Sequence, residues 1–260
     1  MRNAIKAALE TKGSALGTWV QMKSPEICEI AAAAGFDFII IDMEHGSFGL
    51  EGAVEMMRAV ESQNAASVLR LPDSSSTGIK KSLDAGAIGI LIPGIRTGQE
   101  ASQIVQAAKY EPAGFRGACP STRATKHSLI DWREYREWSD RNTMVWGIIE
   151  NRDAVKNIDA IASSGLDAVA LGPFDLSMNL GFNGNINHPE VTEALDRVTE
   201  VALSNGIEVV TLIFGTDQDE ILESARLWKE KGSRIITALI DRWCLSTSYR
   251  SLLKGLDRLQ

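Results

Sequence analysis

The chain has 260 residues, 44% hydrophobic and 23% charged, with seven prolines and no Pro/Ser-rich tract at which to divide it, so one domain over residues 1–260 is expected. A net charge of −7 argues against nucleic acid or an anionic membrane as the main partner, because both need a basic face. Cys28, Cys119 and Cys244 are odd in number and far apart, which suggests neither a disulfide framework nor a zinc ribbon.

In chain order, "MRNAIKAALETKG" sets Ala4, Ile5, Ala8 and Leu9 at helical spacing and lacks the continuous apolar core of a signal peptide. No membrane-length apolar run follows, so the expected compartment is the cytoplasm. "GTWVQM" (17–22) reads as a strand, and "SPEICEIAAAAG" as a helix with Ser24 at the N-cap, Pro25 at the first helical position and Gly35 past the end. The strands "FIIID" (38–42), "SVLRL" (67–71) and "GILIP" (89–93) then alternate with the helical patterns "GLEGAVEMMRAVESQ", "TGIKKSLDAG" and "GQEASQIVQAAKY". About 50 residues separate the fourth and fifth strands, and the stretch "EPAGFRGACPSTRATKHSLIDWREY" reads as irregular, a length that marks a functional loop or an interface. Beyond it come the strands "MVWGIIE" (144–150), "AVALG" (168–172), "EVVTLI" (208–213) and "RIITAL" (234–239), separated by "NRDAVKNIDAIASSG", "HPEVTEALDRVTEVALSNG" and "DQDEILESARLWKEKG". Strands alternating with helices imply a parallel sheet, either an open doubly wound one or a closed barrel; the count of eight favours an α/β (β/α)8 TIM barrel.

In such a barrel chemistry gathers at the carboxyl ends of the strands. Asp42 ends the second strand with Glu44 and His45 just beyond, Arg70 ends the third, Glu150 the fifth, and the sixth leads through "GPFDLS" to Asp175. Each has a structural alternative: Glu150 paired with Arg152, Asp175 as a turn acid beside Ser177, Arg70 paired with Glu44 or Asp42, His45 as a satisfied loop histidine. Together, Glu150 and Asp175 resemble an oxygen-ligand site for a divalent ion (Mg²⁺, Mn²⁺ or Co²⁺), with His45 as a general base and Arg70 stabilising an enolate oxygen. His188 looks like a helix-start residue, and His127 lies in the long connection. No P-loop string and no G-x-S-x-G elbow is present. Lys23 is the only rim lysine, better placed for an anionic substrate tail than for a Schiff base.

The ordered set "GTWVQMKSPEICEIAAAAGFDFIIIDMEHG", "VLRLP", "IKKSLDAGAIGILIP", "KYEPAGFRG", "GIIENRDAVKN", "LGPFDLSMNLGFNGNINHPEV" and "IDRWCLSTSYRSLL" resembles the HpcH/HpaI family of metal-dependent pyruvate aldolases over nearly the whole chain. The resemblance implies a barrel whose last helix is exchanged between neighbours in a homo-oligomer (trimer or hexamer), and carbon–carbon cleavage or formation of 4-hydroxy-2-oxo acids from a 2-oxo acid (pyruvate, oxaloacetate) and an aldehyde. By position it implies His45 as proton acceptor, Arg70 as transition-state stabiliser, Glu150 and Asp175 as metal ligands and Asp84 as the acid that raises the histidine's basicity. Substrate contacts are expected from Trp19, Lys23, Arg70, Gly172, Pro173, Phe174, Asp175 and Leu212, and the resemblance implies that the Phe174 N–H meets a pyruvate carboxylate. Three positions depart from the family pattern: Ile148 where a glutamine is common, Phe174 where a small residue is, and Lys23 where a small polar one is. The alternatives are oxaloacetate decarboxylation, a citrate-synthase-like condensation at the same enolate site, and a barrel that binds 2-oxo acids without turnover.

Overall fold

The structure, a computed structural model, describes residues 2–215 and 217–257. Eight parallel strands, β1 (Ala15–Val20), β2 (Phe38–Asp42), β3 (Ala66–Arg70), β4 (Gly89–Ile92), β5 (Met144–Ile149), β6 (Ala168–Leu171), β7 (Glu208–Ile213) and β8 (Ile235–Ile240), pair in sequence order. β8 returns to β1 and closes the barrel, as the strand count predicts. Because side chains alternate along a strand, each strand feeds two cores. Phe38, Ile40, Val68, Leu91, Trp146 and Val210 fill the interior, where Phe38 meets Trp146 edge-on at 5.6 Å. Ile39, Ile41, Leu69, Ile90, Val145 and Val209 point outward to the helices. Buried on both faces, the strands read as unbroken apolar runs.

Helix α1 (Ala4–Lys12), capped by the Asn3 side chain, buries Ile5 and Ala8 against the interior cluster. The crossover helices are α2 (Pro25–Ala33), α3 (Leu50–Ser62), α4 (Ser76–Asp84) and α5 (Gly98–Ala108). Ser24 caps α2 by accepting from the Ile27 N–H, and Thr97 and Glu100 close a capping box on α5. The connection to β5, expected to be irregular, contains a further helix, α6 (Trp132–Asn142). Only Tyr135 and Ser139 of it are buried, so a helix this polar gives little apolar periodicity to read. The pattern after β5 forms two short helices, α7 (Arg152–Lys156) and α8 (Ile158–Ala162), separated by Asn157, whose side chain donates to the Arg96 carbonyl. Helices α9 (Pro173–Leu180), α10 (Pro189–Ser204) and α11 (Gln218–Glu230) complete the ring. The terminal helix α12 (Asp241–Asp257) buries only Asp241 and leaves Trp243, Tyr249, Leu252 and Leu253 exposed. No described helix is long and apolar enough to cross a membrane.

Candidate active site

The fully buried Asp42 explains why β2 ends on an acid: its Oδ1 accepts from the backbone N–H groups of Glu44 (3.0 Å) and His45 (3.1 Å), folding the turn back over the strand. Register sets Arg70 directly across from it on β3. Arg70 Nη1 lies 3.5 Å from Asp42 Oδ2, and Nη2 closes on Glu44 Oε2 as an ion pair without in-line hydrogen-bond geometry. Its guanidinium lies 5.5 Å above the Trp19 ring, a cation–π contact, and the Trp19 Nε1–H donates to Thr237 Oγ1 at 2.8 Å. Arg70 Nε is buried and has no acceptor among the described residues, so this cation is held with its hydrogen-bonding capacity only partly satisfied.

Glu150 stands one residue past β5, its Oε1 accepting from the Gly94 N–H at 2.6 Å. A Cβ at position 172 would lie 2.6 Å from Glu150 Cβ and 3.2 Å from its Oε2, so glycine there is what lets the carboxylate lie against the end of β6. At the next residue α9 begins with Pro173, which has no N–H to leave unsatisfied, and Asp175 occupies its first turn. Burial is the main force that pushes the Glu150 carboxyl up to about 7. The Gly94 N–H and Arg70 oppose it; Asp175 and Glu44 reinforce it, so the charges of Glu150 and Asp175 are mutually felt. Burial likewise raises Glu44, against the pull of Arg70 and His45. Neither Glu150 nor Asp175 forms an ion pair with a basic side chain among the described residues, Arg152 included.

His45, Arg70, Glu150 and Asp175 line one pocket of about 180 Å³ at the barrel mouth, with Trp19, Gly172, Pro173, Phe174 and Leu212 around them. Two expected members are elsewhere. Lys23 turns away, its ammonium 3.6 Å from Glu55 and its stem packed over Gly52. Asp84 ends α4, which has run back to the amino-terminal end of the barrel, and there binds Arg116 at 2.7 Å; within one chain the carboxylate beside His45 is Glu44, 3.9 Å away. His188 caps α10 and stacks on Phe182, as a helix-start residue does. Gln21, Phe214 and Thr237 were not singled out by sequence; Gln21 lines the pocket and donates to Asp42 Oδ2 at 2.9 Å. Its position just past β1 was the available signal.

No group of three or more His, Cys, Asp and Glu side chains that could hold a metal occurs among the described residues. Glu150 and Asp175 would therefore supply two oxygen ligands, and water or substrate oxygens the rest. A buried carboxylate without a cation beside a second carboxylate suits a hard divalent ion with open positions, so the residues present fit such a metal.

Residues 15–239 match the model of the HpcH/HpaI aldolase/citrate lyase family. A protein of Enterobacter sp. (strain 638) named 5-keto-4-deoxy-D-glucarate aldolase is 35% identical over 205 residues, 78% of this chain and 79% of its own length. Among solved structures, an HpcH/HpaI aldolase from Desulfitobacterium hafniense DCB-2 superposes with a TM-score of 0.90 at 28% identity, covering 98% of this chain and 97% of the other. The citrate synthase SbnG superposes with a TM-score of 0.84, also at 28% identity, covering 98% and 96%.

Proposed function

The chain belongs to the HpcH/HpaI aldolase/citrate lyase family, and on that premise we propose that it is a metal-dependent carbon–carbon lyase that forms or cleaves 4-hydroxy-2-oxo acids, 2-keto-3-deoxy sugar acids among them, through a pyruvate enolate. The observation that carries this reading is the convergence of Glu150, Asp175, Arg70 and His45 on one pocket, with the two acids lacking basic partners among the described residues. Held by Glu150 and Asp175, a divalent ion (Mg²⁺, Mn²⁺ or Co²⁺) would polarise the 2-oxo acid as a Lewis acid. Arg70 stabilises the charge that develops on the enolate oxygen, from a guanidinium already held by Glu44, Asp42 and the Trp19 face. The backbone N–H of Phe174, near the start of α9, meets the substrate carboxylate at the positive end of a helix. His45 moves the proton at the carbon that gains or loses the aldehyde. Trp19, Leu212 and Phe174 line the space in which that aldehyde sits.

The test is methyl deuteration of pyruvate in heavy water with the protein and Mg²⁺, Mn²⁺ or Co²⁺. Metal-dependent exchange is expected, and its absence with metal binding verified would refute the enolate chemistry. Product analysis by mass spectrometry with a panel of aldehydes, and with oxaloacetate, identifies the physiological direction. A citrate-synthase-like condensation is the second reading, supported by the likeness to SbnG. The exposed apolar side chains of α12 support a homo-oligomer, trimer or hexamer, in which that helix packs on a neighbour. Light scattering that shows only monomer at micromolar concentration would reject it. Three free cysteines suit a reducing compartment such as the cytoplasm.

A further inference from the structure

The root of α12 is joined to the catalytic turn by two adjacent side chains. The Asp241 carboxylate, 8% exposed, accepts from the Gln21 N–H at 3.1 Å and the Met22 N–H at 2.8 Å, and so holds the end of β1. Gln21 passes the link on through its amide to Asp42, the residue that binds the His45 N–H and faces Arg70. Arg242 completes a second path. Its Nη1 donates to the His45 carbonyl at 3.2 Å, and its Nη2 to the Gln21 carbonyl at 3.1 Å and to Ser47 Oγ at 3.4 Å. His45 is thus gripped at both of its backbone polar groups, the N–H from Asp42 and the carbonyl from Arg242.

Two features separate this from an ordinary surface contact. Among the described residues Arg242 forms no ion pair with an acid, and its guanidinium is spent on two carbonyls and a hydroxyl, contacts that fix position more than they neutralise charge. The backbone leading to it is also specially shaped. The pairing of β1 with β8 shifts from Gly17↔Thr237 to Trp19↔Ile240, so β8 carries an extra residue, and Leu239 sits at φ +70°, a left-handed conformation unfavourable for leucine. The bulge turns the chain so that Asp241 and Arg242 arrive over the ends of β1 and β2 instead of continuing the strand.

We propose that Arg242 and Asp241 are positioning residues for the reaction: from the root of the terminal helix they fix His45, and through Gln21 and Asp42 also Arg70, relative to the pocket. The seating of α12 then sets how well the proton-transfer group is aligned. This rests on the enolate reading above, so the test has one arm that depends on turnover and one that does not.

The full-length protein with Mn²⁺ is compared with Arg242→Ala, Arg242→Lys and, as a control on the same helix, Arg250→Ala. In the first arm, pyruvate methyl exchange is expected to lose about tenfold or more in kcat for Arg242→Ala, while KM for pyruvate and the Mn²⁺ affinity stay within about twofold, because Glu150, Asp175 and Arg70 remain. Arg242→Lys recovers part of the loss, and Arg250→Ala matches the wild type. In the second arm, hydrogen–deuterium exchange followed by mass spectrometry is expected to show faster amide exchange over residues 43–47 in Arg242→Ala, with Tm and oligomeric state unchanged. An Arg242→Ala protein with wild-type kcat and wild-type protection of that turn overturns the proposal. So does a kcat loss that only tracks a fall in Tm or dissociation of the oligomer. If the wild type itself fails to exchange pyruvate with Mn²⁺ bound, the enolate reading fails, and the amide-exchange arm alone decides whether Arg242 holds the turn.

Discussion

Replacing Glu150 with glutamine should make the metal-free protein more stable while it removes metal binding. Burial raises the Glu150 carboxyl from 4.5 to about 7, which places a penalty of about 2–3 kcal/mol on its charged form once solvent entering the pocket is allowed for. Between those two values the native state holds a proton that the unfolded chain has released, so stability falls as pH rises through the window and the whole penalty is in force above pH 7. Glu150→Gln keeps an oxygen for the Gly94 N–H and carries no charge to desolvate. In EDTA at pH 8, urea unfolding at fixed protein concentration should therefore show the variant more stable by about 2–3 kcal/mol, with most of that advantage gone at pH 5. Adding Mn²⁺ at 100 times its Kd should stabilise the wild type by about 2.7 kcal/mol and leave the variant unchanged. A variant no more stable than the wild type at pH 8, or one with the same advantage at both pH values, would refute the reasoning.

Arg70→Lys should lower kcat for pyruvate exchange by roughly 100-fold or more in steady-state kinetics, because one ammonium cannot serve Asp42, Glu44 and the substrate oxygen at once while staying over the Trp19 ring. Gly17→Ala places a Cβ 2.4 Å from the Phe38 ring, itself wedged against Trp146, and should cost about 1–3 kcal/mol of overpacking, read as a lower Tm by calorimetry. Thiol titration of the native protein should modify exposed Cys119, whose pKa is lowered by its contact with Ser121, before any other cysteine. Cys28, whose thiol burial pushes up to about 12, should react only after unfolding.

Eight apolar runs, spaced by helices that announce their own caps, carry the barrel at the level of local pattern; Ser24 before Pro25 and Thr97 three residues ahead of Glu100 are signals that need no partner elsewhere in the chain. The strand ends likewise marked residues that meet, since Arg70 ends β3, Glu150 follows β5 and the "GPFDLS" turn follows β6, and the structure brings them to one pocket with His45. Helix α6 stayed hidden because so little of it is buried that its apolar period is almost absent.

What a side chain does at its position is settled by register and by the return path of the chain, and these are long-range quantities. Pattern named Lys23 a rim cation, yet packing over Gly52 draws it to Glu55; the family resemblance offered Asp84 to His45, while within one chain a helix that returns to the opposite end sets it against Arg116. Sequence proximity offered Arg152 to Glu150, while the fold gives that carboxylate a backbone N–H from Gly94 and a second acid across the mouth. The order of residues by itself determined which elements form and where they begin and end, because apolar periodicity and caps act over a few residues. Only the closed barrel decided which charges meet, since Asp42 faces Arg70 through strand register and Arg242 reaches His45 across nearly 200 positions of chain.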